Sequence, residues 1–203
     1  MRKALLSALV VALLASTGIA KANPRPAQGE DKTPPSYDMK AQALLDIDQL
    51  HKKFADLAGA VPADKFSWRP AEGVRSIGEV YLHISQANYG FMDLLGANSP
   101  VNFKTKDFEK SITDKTKIIE QINQSFDFVK ATVSKMTNAD FAKAKKELGP
   151  DANEGDVIYL LVTHAHEHLG QSIAYARQNG IIPPWTVAAM EKEKEKKQAA
   201  PQE

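Results

Sequence analysis

Four long stretches of the chain carry apolar residues at three- and four-residue steps, and none alternates with the two-residue period of a half-buried strand. That pattern directs the chain to an all-α fold. The first stretch covers about residues 37–60, with Leu44, Ile47, Leu50, Phe54 and Leu57 on one stripe. The second, about 76–96, opens on Ser76-Ile-Gly-Glu79, the spacing of a capping box. Its stripe is Ile77, Val80, Ile84, Phe91 and Leu95, with Gly96 as the stop. The third, about 113–136, carries Ile118, Ile119, Ile122, Phe126, Val129 and Val133. The fourth, about 154–179, ends on Asn179-Gly180, and Pro183-Pro184 blocks its continuation. Helices of about 20–26 residues are about 30–39 Å long, and each needs partners for its stripe. A four-helix bundle spanning about residues 37–186 supplies them. Pro62 and Pro70 bracket a loop holding Phe66 and Trp68. The longer connections, Ala97 to Ile112 and Thr137 to Asn153, are places for a crossover or a lid.

The two ends read differently from the middle. Arg2 and Lys3 precede an apolar run, and Ala20-Lys-Ala22 supplies the small residues of a cleavage site. Residues 1–22 are therefore expected to be a signal peptide cleaved after Ala22, which makes the mature protein periplasmic or secreted without stable membrane insertion. Residues 23–36, rich in proline and charge, read as a disordered linker, and 187–203 as a charged C-terminal tail. With no cysteine, disulfides, thiolate ligands and a cysteine nucleophile are excluded. A net charge of +1 with no aromatic-interleaved basic patch gives no footprint for nucleic acid.

Three of the five histidines fall in His164-Ala-His-Glu-His168. On a helix, His164 and His168 lie about 40° apart, one turn above the other, while His166 points about 160° away from both. Val157, Leu160, Leu161 and Tyr175 share the face of the pair, so two imidazoles stand where an apolar arc would put leucines. Each polar nitrogen there needs a partner, and one metal ion can serve both rings. A third ligand must come from another helix. His83, beside Val80 and Ala87, is the better placed candidate, and His51, beside Ile47 and Ala55, is the other. Glu167 lies on the outer side, so its use as a general base is doubtful. Gln171, one turn beyond His168, either orients a ligand or lies idle on the surface.

The stretch FSWRPAEGVRSIGEVYLHI (66–84) together with HAHEHLGQSIAYAR (164–177) resembles the DinB-like superfamily, which includes the YfiT-type metal-dependent hydrolases. The matching positions are Trp68, Pro70, Ser76, Ile77, His83, His164, His168, Gly170 and Gln171, and the likeness spans about residues 37–185. It implies a four-helix bundle with a three-histidine metal site, the ligands being His83, His164 and His168. It gives no ligand role to His51 or His166, and it implies a homodimer. Many members have arginine at the position of Leu169; leucine suits the apolar arc, at the cost of any anion contact an arginine would make.

Three imidazoles suit a divalent ion, zinc or nickel first, with manganese or iron as the remaining options. The resemblance implies a metal-dependent hydrolase or thiol transferase acting on a small molecule. The alternatives are an envelope protein that binds metal or a small molecule without turnover, and a purely structural bundle. For hydrolysis the second acid or base is missing, with Asp93 and Glu79 as weak candidates.

Overall fold

The structure, a computed structural model, describes residues 38–199. The expected signal peptide and linker lie outside those residues. Among the described residues there are five α-helices: α1 Met39–Ala60, α2 Ile77–Leu94, α3 Lys115–Lys135, α4 Glu154–Gln178 and α5 Pro184–Ala199. Among the described residues the only β feature is one antiparallel bridge between Ala144 and Asn153. The fold is the all-α four-helix bundle that the periodicity predicts, formed by α1 to α4.

The helix ends follow local chemistry. Ser76 and Glu79 close the expected capping box: the Glu79 amide donates to Ser76 Oγ at 3.2 Å, and the Ser76 amide donates to Glu79 Oε2 at 2.8 Å. A second box, Asn153 with Asp156, starts α4 and is not among the starts read from sequence. Asp38 and Asp114 cap α1 and α3 through their side chains. Gly180 takes φ +75° after α4, the left-handed conformation that glycine adopts without a Cβ clash, and the Ile181 amide returns to the Ala176 carbonyl at 2.9 Å. Gly78 answers a different need. Its amide donates to the Phe66 carbonyl at 2.9 Å, and a Cβ there would lie 3.0 Å from Ile118 Cδ1. The same Cβ would lie 3.3 Å from the Phe66 carbonyl oxygen, so glycine lets the 61–76 loop dock closely on α2 without displacing Ile118 or the loop backbone.

The packing order is what positions the site. α1 packs on α3 and α4, and α2 also packs on α3 and α4. Helices consecutive in sequence at the start and end of the bundle, α1–α2 and α3–α4, therefore occupy diagonal corners. The connection 137–153 crosses a diagonal, whereas 97–112 joins the neighbours α2 and α3. At the centre, Phe54 of α1 meets Tyr81 of α2 edge-on at 6.0 Å and Phe126 of α3 at 5.7 Å. The stripes read from sequence are largely buried, with Leu44, Phe91, Leu95 and Ile119 at the margin of the core. Leu160 departs from its expected place: it is 41 % exposed, outside the core, one turn before His164.

α5 buries no residue, and the alternating acid–base run lies along it, with Glu193 and Lys197 paired at 2.7 Å. Its one anchor is Trp185, packed against the core, with Lys53 Nζ 5.9 Å from the ring. Pro184 ends any extension of α4 and starts α5, because proline at a first helical position loses no hydrogen bond. Among the described residues no helix is long and apolar enough to cross a membrane.

Phe54 is fully buried. Phe54→Ala should cost about 3–5 kcal/mol of unfolding free energy, and Ser76→Ala about 1 kcal/mol through the lost cap. Urea denaturation followed by circular dichroism measures both.

Candidate metal centre

Because α2 and α4 are neighbours, His83 meets His164 and His168 across one seam. One nitrogen from each ring lies within 4.8 Å of the other two. The ring centroids are 5.1 Å apart for His83 and His164, 4.6 Å for His83 and His168, and 4.5 Å for His164 and His168. His168 is buried at 9 % exposure, while His83 and His164 are half-buried. The last two rings bring Nε2 to Nε2 at 3.1 Å.

Hydrogen bonds on the far side of two rings determine which nitrogens face inward. His83 Nδ1 lies 2.7 Å from Glu109 Oε1. A carboxylate only accepts, so Nδ1 carries the proton and Nε2 keeps its lone pair for the centre. His168 Nδ1 lies 2.7 Å from Gln171 Oε1, and Gln171 Nε2 donates to the Tyr175 hydroxyl at 3.0 Å. The amide oxygen thus faces His168, and Nδ1 is again the donor. His164 has no such support, and its buried Nδ1 has no partner. Phe91 meets its ring edge-on at 5.8 Å.

The donor set fits a divalent cation. Inward lone pairs repel one another at these distances unless a proton or a cation lies among them, and a tether on the far nitrogen is the usual support of a ligating histidine. Burial, with His168, His83 and Arg75 nearby, lowers the His164 pKa to about 4. Burial is also the main cause lowering His83, against the opposing pull of Glu109. Burial alone would raise Glu109, but hydrogen bonds from Arg75 and His83 outweigh it and keep the group a carboxylate.

Sequence reasoning missed Glu109 and Arg75. Arg75 Nε donates to Glu109 Oε2 at 2.6 Å, and its Nη2 donates to Oε1 at 2.9 Å. Glu109 sits in a short 3-10 helix, Phe108–Lys110, within the connection read as a crossover or lid. No spacing rule links a loop carboxylate to a histidine 26 residues earlier. The other candidates lie elsewhere. His51 faces α3, its Nε2 2.9 Å from Asn123 Oδ1 and its ring stacked on Phe126. His166 and Glu167 are exposed. Asp93 pairs with Lys104 at 3.0 Å, and Glu79 is held by the Ser76 amide and Arg69. Tyr81 and Tyr89 belong to the core, and Leu169 is buried there as its apolar character predicts.

A cleft of about 580 Å³ lies on the tether side of the triad, lined in part by Arg69, Arg75, Glu109, Lys110 and Gln171 and by none of the three histidines. Its wall thus includes both groups that tether the histidines. A family model for the DinB superfamily matches residues 46–172, more than half of the chain and all three histidines. The chain belongs to the DinB superfamily.

Solved structures of DinB-type proteins share this fold. A DinB-like protein from Bacillus cereus is 20% identical, with a TM-score of 0.62 over 71% of this chain and 95% of that chain. YfiT from Bacillus subtilis is 13% identical, with a TM-score of 0.56 over 81% of this chain and 97% of that chain. YfiT is described as a probable metal-dependent hydrolase with an unusual four-helix bundle topology. At these identities the likeness is one of fold. No curated protein matches the chain.

In metal-stripped protein, the His164 ring should stay neutral down to about pH 4. A histidine whose folded pKa lies below its unfolded value favours unfolding as the pH falls between the two values. Stability should therefore drop between about pH 6.5 and pH 4. Histidine Cε1–H shifts and urea midpoints across that range measure both effects.

Proposed function

We propose that His83, His164 and His168 hold one divalent ion, zinc or nickel, and that the protein is an exported metal-dependent hydrolase acting on a small molecule. The observation that carries this reading is the convergence of three imidazole nitrogens within 4.8 Å, with two rings tied from behind. An ion held this way would supply Lewis acidity and lower the pKa of a bound water to about 7 in the case of zinc. The protein's own groups do the positioning. Glu109 fixes the tautomer of His83, Gln171 fixes that of His168, and both tethers form part of the wall of a cleft with room for a small molecule. Hydrolysis is preferred to thiol transfer because export would remove the protein from the reduced thiol pools of the cytoplasm.

One observation favours a second reading, a protein that binds a metal and a small molecule without turnover. Glu109 and the two carboxylates weighed from sequence as acid or base are engaged: Glu109 by Arg75 and His83, Glu79 by Ser76 and Arg69, Asp93 by Lys104. None of these three stands unpaired beside the histidines.

Elemental analysis of the purified protein should give close to one metal per chain in wild type and in His166→Ala, and almost none in His83→Ala or His168→Ala. Well-folded wild type that stays empty after reloading with zinc, nickel and manganese would sink the metal reading. The loaded protein can then be assayed on small esters, lactones and amides. Turnover that His168→Ala abolishes supports the hydrolase, whereas retention of an intact small molecule supports the second reading. For export, the protein recovered from the periplasm of an expressing bacterium should begin at Asn23; an intact Met1 in the cytoplasm would overturn it.

A further inference from the structure

Glu109 is placed more tightly than an ion pair fastening a loop would require. Its short 3-10 helix is pinned by buried Phe108, and the Ser111 hydroxyl donates to the Phe108 carbonyl at 2.7 Å. Arg75, the residue before the N-cap of α2, grips both carboxylate oxygens, Nε on Oε2 and Nη2 on Oε1. A two-point guanidinium contact fixes the plane of a carboxylate as well as its position. The gripped oxygen Oε1 is the one that also accepts from His83 Nδ1, at 2.7 Å. The direction in which the His83 ring points is therefore set by a group from another segment of the chain.

We propose that Glu109, clamped by Arg75, is a positioning residue of the metal centre. It holds His83 as the Nδ1–H tautomer, turns Nε2 towards His164 and His168, and strengthens the ring as a donor. This inference rests on the metal reading above and adds to it the Arg75 clamp and the effect of Glu109 on metal affinity. Glu109 is assigned a positioning role, since its carboxylate is held by Arg75 and by the ring it orients. The two tethered ligands also differ: His83 has a charged partner and His168 a neutral amide. A carboxylate on a ligating imidazole makes it more basic, and losing such a partner typically costs about 10–100-fold in metal affinity. The charge of Arg75 balances that of Glu109, so the pair orients the ring without adding net charge beside the ion.

The test uses the full chain and zinc, with affinities measured by chelator competition for wild type, Glu109→Ala and Glu109→Gln. Zinc affinity should fall about 10–100-fold in Glu109→Ala. Glu109→Gln, whose amide oxygen still accepts from Nδ1–H, should recover to within about tenfold of wild type. Nitrogen-15 spectra of the metal-free proteins should show His83 as one Nδ1–H tautomer in wild type and as a mixture in Glu109→Ala. Thermal midpoints of the metal-free variants separate positioning from folding. Glu109→Ala binding zinc within about threefold of wild type would overturn the proposal while leaving the metal reading intact. Equal losses in both variants that track a lower metal-free midpoint, with an unchanged His83 tautomer, would overturn it in favour of a purely structural pair. A wild type that binds no zinc, nickel or manganese would remove the metal reading and this inference together.

Discussion

Packing of α2 directly against α4 is the constraint on which the site depends. It sets His83 beside the i, i+4 pair on α4 and leaves three ring nitrogens facing one another in a partly buried seam. The opposite diagonal arrangement would strand His83 across the core from its partners. The aromatic centre maintains the geometry, because Phe54, Tyr81 and Phe126 fill the space between opposite corners and fix the helix separations.

Around that seam, polar groups are used sparingly and each has a defined task. Two of the three histidines are tethered from behind, one through Glu109 and Arg75 and the other through Gln171 and Tyr175. The third, His164, is untethered, with a buried unpartnered Nδ1 and a strong bias towards the neutral ring. The tethers also form part of the neighbouring cleft wall, so a molecule entering there meets the groups that orient the ligands.

Much of this was legible in the residues, for local reasons. Apolar periodicity, the Ser76–Glu79 box and the Asn179-Gly180 end depend on neighbours three or four positions away, and all appear in the structure close to where the sequence puts them. The separation of His166 from the pair follows from helix geometry alone, and its exposure agrees. The Asn153–Asp156 box is not read from the residues, since asparagine and aspartate serve turns as readily as caps. Leu160 was misplaced because helical phase alone does not tell where a neighbouring helix stops covering a face.

The sequence by itself determined the helices, their buried faces and the paired imidazoles of α4, because those features arise within single helical segments. It put His83 ahead of His51 as the third partner from its place beside the stripe of α2, and the resemblance named His83 alone. Only the tertiary structure decided which corners of the bundle adjoin, and so sent His51 to Asn123 and His83 to the triad. It alone brought Glu109 and Arg75 to the far side of His83, since a contact between a loop and a helix turn leaves no periodic trace in the chain. Helix formation is governed by residues within one turn of each other, whereas the site is assembled by packing between segments distant in sequence.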